Sequence, residues 1–159
     1  MRSSWLFAAL AIGALAAPPA AAAPEPVFAC SFGAKRVEIV LEGGRLTYRY
    51  GRPGRPEMVL GGGAASGTIF YHRTLYARGE DQTLRFVNGA YSYLVYSRWQ
   101  APSGSGDDIA PEYVGSGLLV LHGGRIVRRM SCRSGGDMRE WPIFLALPQD
   151  SGNLTPEDA

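Results

Sequence analysis

The stretch Leu84–Trp99, reading LRFVNGAYSYLVYSRW, constrains this chain more than any other. Two runs of apolar and aromatic residues flank Asn88-Gly89. Asn-Gly accepts positive φ at both central positions of a type I′ turn, whose twist matches antiparallel strands. A hairpin is therefore predicted over Gln82–Asn88 and Ala90–Trp99. In its second strand Tyr91, Tyr93, Val95 and Trp99 share one face, while Leu94 and Tyr96 share the other. Apolar groups on both faces predict a central strand, or a barrel strand with a covered outer face.

Period-two alternation recurs on both sides of this hairpin. Arg36–Glu42 sets Val37, Ile39 and Leu41 on one face; after Gly43-Gly44, Arg45–Tyr50 turns Leu46, Tyr48 and Tyr50 inward. Val27–Ser31 reads as a short strand carrying Cys30. Gly51–Arg55 breaks the chain, since Pro53 and Pro56 cannot donate ladder hydrogen bonds, and Glu57–Leu60 follows as a short edge strand. Gly61–Gly67 is a flexible loop; a strand follows it, not the helix a phosphate-cradling loop would open. Thr68–Ala77 is a strand and Arg78–Asp81 its turn. Ser116–His122 and Arg125–Arg133 form another hairpin about Gly123-Gly124. Asp137 with Glu140 has the form of a capping box, which predicts one helical turn before Pro142.

That makes about eight strands and almost no helix. Closing a sheet removes edges that recruit other chains. The expected fold is all-β, a small antiparallel meander closed into a roughly eight-stranded barrel over residues 23–147, with a two-layer β-sandwich as the alternative. From Pro148 the tail is acidic and polar, and residues 148–159 are expected to be disordered.

Ahead of the domain, Arg2, the apolar run Trp5–Ala17 and the alanine-rich stretch after it have the layout of a secretory signal peptide over residues 1–22. No later segment is apolar enough to span a bilayer as a helix, so the mature chain is expected to be soluble, in the periplasm or secreted. Export would place Cys30 and Cys132, the only cysteines, in an oxidising compartment. They bracket nearly all the predicted strands, and a disulfide between them is expected. The formal charge of +2 lacks the concentrated basic footprint that nucleic-acid binding needs.

Chemistry-bearing residues are sparse. His72 and His122 stand alone, without metal-ligand spacing, and no G-x-S-x-G elbow is present. No catalytic residue, metal site or cofactor is expected. The long irregular segment Ala101–Gly115 carries the one acidic cluster, and long loops in compact domains are often functional. Asp107, Asp108, Glu112 and Tyr113 are therefore the candidate binding residues. Arg45, Arg49, Arg85 and Arg129 face solvent, as a belt for an anionic surface or as scattered solubilising charge.

From Phe28-Ala29-Cys30 through Tyr48-Arg49-Tyr50-Gly51, Pro56-Glu57, Leu84-Arg85-Phe86, Asn88-Gly89 and Tyr91-Ser92-Tyr93 to Cys132, the chain resembles small exported bacterial β-proteins of unknown function. These are turn and core residues and imply no activity. The architecture is also similar to that of the periplasmic inhibitors of C-type lysozyme, small disulfide-tied barrels with a Ser-Gly-x-x-Tyr motif on a loop. Ser116-Gly117-Leu118-Leu119-Val120 keeps Ser-Gly, lacks the Tyr and reads as strand. The expectation is a monomeric, non-catalytic binding module that meets, or inhibits, a protein or glycan of the cell envelope. The alternative is a carrier holding a small apolar ligand between Tyr48, Tyr50, Phe86 and Tyr93.

Overall fold

The computed structural model describes residues 24–101, 112–138 and 140–151. Among these, ten strands form two antiparallel five-stranded sheets. The first contains β1 (Glu25–Ser31), β2 (Arg36–Glu42), β3 (Arg45–Arg52), β4 (Arg55–Gly62) and the short β10 (Ser134–Gly135), in the order β10-β1-β2-β3-β4. The second runs β5 (Ile69–Tyr76), β6 (Gly79–Asn88), β7 (Tyr91–Gln100), β8 (Glu112–His122), β9 (Arg125–Ser131). Two 3-10 segments, Ala64–Ser66 and Pro142–Ala146, are the helical content among the described residues.

Neither sheet closes on itself. Between β4 and β5 the glycine-rich stretch and the Ala64–Ser66 turn carry the chain from one sheet to the other, and the two strands are not paired. The single closed barrel is thus not what the ladders form, and a sandwich-like, two-layer description fits. Val37, Ile39, Leu46 and Tyr48 from the first sheet and Ile69, Leu84, Phe86, Val95 and Leu118 from the second belong to one buried cluster. Leu94, Leu119 and Leu121 form a second cluster with Tyr96 and Ile126, as expected for the central strand β7.

Turn chemistry fixes most of the register. Gly43-Gly44 and Gly123-Gly124 hold positive φ at both loop positions, the type I′ pattern. In the Leu84–Trp99 hairpin Asn88 pairs with Tyr91, so the loop is Gly89-Ala90, one residue later than expected. Only Gly89 there has positive φ (61°), the type II′ arrangement, which needs glycine first and tolerates alanine second. Gly51–Arg55 does not break the sheet. Arg52 pairs with Arg55 around Pro53-Gly54, where proline precedes a glycine at φ 71°, the demand of a type II turn. Pro56 is tolerated because β4 is an edge.

Three further expectations are corrected. The turn after β5 is Ala77-Arg78, and β6 starts at Gly79, so Glu80 and Asp81 are buried strand residues rather than turn residues. The helical turn follows Pro142 instead of preceding it, because proline at the first position gives up no hydrogen bond there. Residues Pro148–Ser151, expected to be disordered, are held to β5 by backbone contacts, with Asp150 buried and the other three exposed. Gln149 bridges Tyr71 in parallel, the Tyr71 amide donates to Pro148 O (3.1 Å) and the Asp150 amide to Tyr71 O (2.8 Å). Arg85 clasps Asp150 through Nε and Nη2 at 2.6 and 2.7 Å. Residues 152–159 lie outside the described part.

Cys30 and Cys132 form a disulfide across 102 positions, with Cα atoms 5.3 Å apart. By the chain-entropy model a loop of this length contributes roughly 4–5 kcal/mol. The bridge fastens β1 of one sheet to the chain just beyond β9 of the other.

Candidate functional site

Of the sequence-predicted binding residues, Asp107 and Asp108 lie outside the described residues. Glu112 and Tyr113 open β8, where their backbones pair with Gln100 and Trp99 of β7. A bulge between Arg98 and Trp99 shifts this part of the ladder. This end of the second sheet therefore bears both margins of the Ala101–Gly115 segment.

The same end holds an open cleft of about 270 Å³ lined by Tyr76, Arg78, Asp81, Arg98, Trp99 and Gln100, among others. Its base is an ion pair. Arg98 grips Asp81 through Nε and Nη2 at 2.6 and 2.8 Å, and the Tyr76 hydroxyl donates to Asp81 Oδ2 at 2.7 Å. Asp81 is 3% exposed, whereas Tyr76 and Trp99 are 46% and 38% exposed. The hydrogen bond to Asp81 pushes the Tyr76 phenol above its ordinary pKa and also holds the Arg98 guanidinium protonated. The arrangement fixes charge and shape at the base of the cleft.

On the core-facing side of the same strands a second polar group is buried. Arg73 bridges Glu80 (2.7 Å) and Glu140 (3.0 Å), the Gln82 amide donates to Glu80 Oε1, and the Tyr71 hydroxyl donates to Gln82 Oε1 (3.2 Å). The Met138 amide reaches Ser97 Oγ at 3.4 Å. This network fastens the segment after β10 to the second sheet.

The histidines do not converge. His72 Nε2 lies 3.0 Å from Thr74 Oγ1, and His122 stacks on Tyr91 with centroids 4.6 Å apart. No cluster of three or more His, Cys, Asp or Glu suited to a metal occurs among the described residues. Ser116 is buried within β8. The four solvent-side arginines do not make one belt: Arg45 and Arg49 belong to β3, Arg85 and Arg129 to the second sheet, and Arg85 is taken up by Asp150. Tyr48, the centre of the expected ligand cavity, is fully buried and packs on Phe86 and Tyr93, with centroids at 5.3 and 5.7 Å.

Sequence reasoning missed Tyr76, Asp81 and Arg98 because the run Arg78–Asp81 has the polarity of a turn. The signal was present in the hairpin. Any ladder with Asn88 opposite Tyr91 puts Asp81 opposite Arg98, a cross-strand pair of opposite charge.

Cys30 and Cys132 are disulfide-bonded, and among the described residues no helix is long and apolar enough to cross a membrane. No protein-family model matches this chain, and neither a curated protein nor a solved structure matches it.

Proposed function

We propose that this chain is an exported, non-catalytic binding module, periplasmic or secreted, that meets a protein or glycan of the cell envelope through the end where β7 stops and β8 starts. The observation that carries this reading is the pair of exposed aromatic rings, Tyr76 and Trp99, beside a concave cleft with a rigid, charge-satisfied base. Tryptophan, tyrosine and arginine are the residues that most often anchor interfaces, because they bury large area at small entropic cost. Asp107, Asp108, Glu112 and Tyr113 belong to the Ala101–Gly115 segment and remain its candidate binding residues, three of them carboxylates.

The test compares retention of envelope components on the oxidised chain with retention on Trp99→Ala and on the Asp107→Ala/Asp108→Ala double variant. Loss of the same component from both variants, at unchanged melting temperature, supports the site; unaltered retention removes it. The carrier alternative requires a ligand to displace the Tyr48–Phe86–Tyr93 packing. Native mass spectrometry of the purified chain distinguishes the two, since a carrier keeps a bound small molecule.

A further inference from the structure

The two sheets part on the disulfide side, where a groove of about 350 Å³ runs between the turn after β1 and the edge strand β9. One wall carries Phe32 and Lys35, the other Arg128, Met130 and Arg133, with Tyr50 between them. A second concavity of about 390 Å³, lined by Arg36, Glu38, Arg49 and Arg52, shares Tyr50 with it, but Glu38 and Arg49 project from the opposite face of the first sheet, so it is a separate surface. The groove thus holds three cations, Lys35, Arg128 and Arg133, of which Lys35 is engaged by Glu57 at 2.6 Å. Among the described residues no carboxylate pairs with Arg128 or Arg133. In a chain of formal charge +2, this is a local concentration of positive charge.

The walls are built, not incidental. Cys30 immediately precedes the first wall and Cys132 lies inside the second, so the disulfide sets their separation. The Arg133 amide donates to Ser31 O at 2.8 Å. The Arg133 guanidinium faces across to Gly33, where a Cβ would stand 3.4 Å from its Nη1. Arg128 shares the core-facing side of β9 with Met130, and on an edge strand that side looks into the groove. A single inward charge would suffice to protect an edge from pairing; a cation on the opposite wall has no such role.

Two more features narrow the ligand. Phe32 and Tyr50 form a tilted ring pair, centroids 6.4 Å apart, half-buried among the cations. The Tyr50 hydroxyl has a thioether as its partner, Met130 Sδ at 3.9 Å, which is a weak acceptor. The geometry points to an acidic oligosaccharide as the occupant of this groove. Guanidinium forks take its carboxylates or phosphates in paired hydrogen bonds. The Phe32–Tyr50 faces take the C–H side of a sugar ring, and the Tyr50 hydroxyl takes a ring or hydroxyl oxygen. This surface is separate from the Trp99 cleft, and either can fail without the other.

The test titrates the oxidised chain from residue 23 onward with fluorescent hexamers of galacturonic acid and of phosphorylated mannose, at low ionic strength, with uncharged maltohexaose as comparator. Binding of at least one acidic hexamer, and none of maltohexaose, is expected. Arg128→Ala with Arg133→Ala weakens it at least about tenfold. Arg45→Ala with Arg125→Ala removes the same charge at two hairpin tips outside the groove and leaves affinity within about twofold. Circular dichroism melts confirm that both double variants are folded; all four arginines are exposed. Equal weakening by the two double variants, equal affinity for a thymidylate hexamer, or no binding of either acidic sugar overturns the proposal.

Discussion

Tyr48 carries a hydroxyl that the core leaves without a hydrogen-bond partner among the described residues. Its ring, fully buried against Phe86 and Tyr93, supplies the packing, while the oxygen contributes only the cost of its dehydration. Burial drives its pKa upward from 10.0, and burial also raises that of Tyr71 to about 12. A folded-state pKa above the unfolded value means that the native state keeps a proton the unfolded chain releases. The associated stability is complete below about pH 10 and is lost as pH climbs toward 12 and beyond. Tyr48→Phe is therefore expected to leave stability at pH 7 unchanged or to raise it by about 1 kcal/mol. It should also flatten part of the alkaline decline. Urea denaturation at pH 7 and at stepped alkaline pH measures both, and a loss of stability at pH 7 contradicts the assignment.

Among the elements, the short strap Pro148–Ser151 has the widest reach for its length. It lies against β5, one of the two edge strands of the second sheet, and covers part of an edge whose free amides and carbonyls would otherwise be open to another chain. Ending the chain at Leu147 removes the paired Arg85–Asp150 contact and the strap's backbone hydrogen bonds. The expected cost is about 2–3 kcal/mol, with concentration-dependent association visible by light scattering. Alternation and the glycine pair made β2, the turn after it and the start of β3 legible from sequence to the residue, because local geometry alone decides them, while the end of β3 runs two residues past the expected Tyr50. The strap was not legible, since Asp150 reads as a solvated acid until Arg85 is known to face it. The start of β6 failed for the same reason. Glu80 and Asp81 look like turn residues unless the partners that make their burial tolerable, Arg73 and Arg98, are counted across the ladder. Of the candidate site, the end of the sheet was legible from the long segment attached to it, while the cleft needed the cross-strand register.

At the scale of the molecule, one covalent bond joins the two layers. The loop it closes spans 102 positions, so replacing both cysteines by serine should lower stability by about 4 kcal/mol, read from denaturant midpoints of the oxidised parent and the double variant. The two layers share one hydrophobic cluster, so unfolding is expected to stay cooperative in both forms. The bridge's placement also bears on how the chain is made. A polypeptide emerging from its amino end presents Cys30 early and Cys132 late, so the first layer waits as an open thiol until nearly all of the second has been delivered. Whatever oxidant seals this protein must act after β9 has been delivered, and a nascent chain stalled before Cys132 has no correct partner for the Cys30 sulfur.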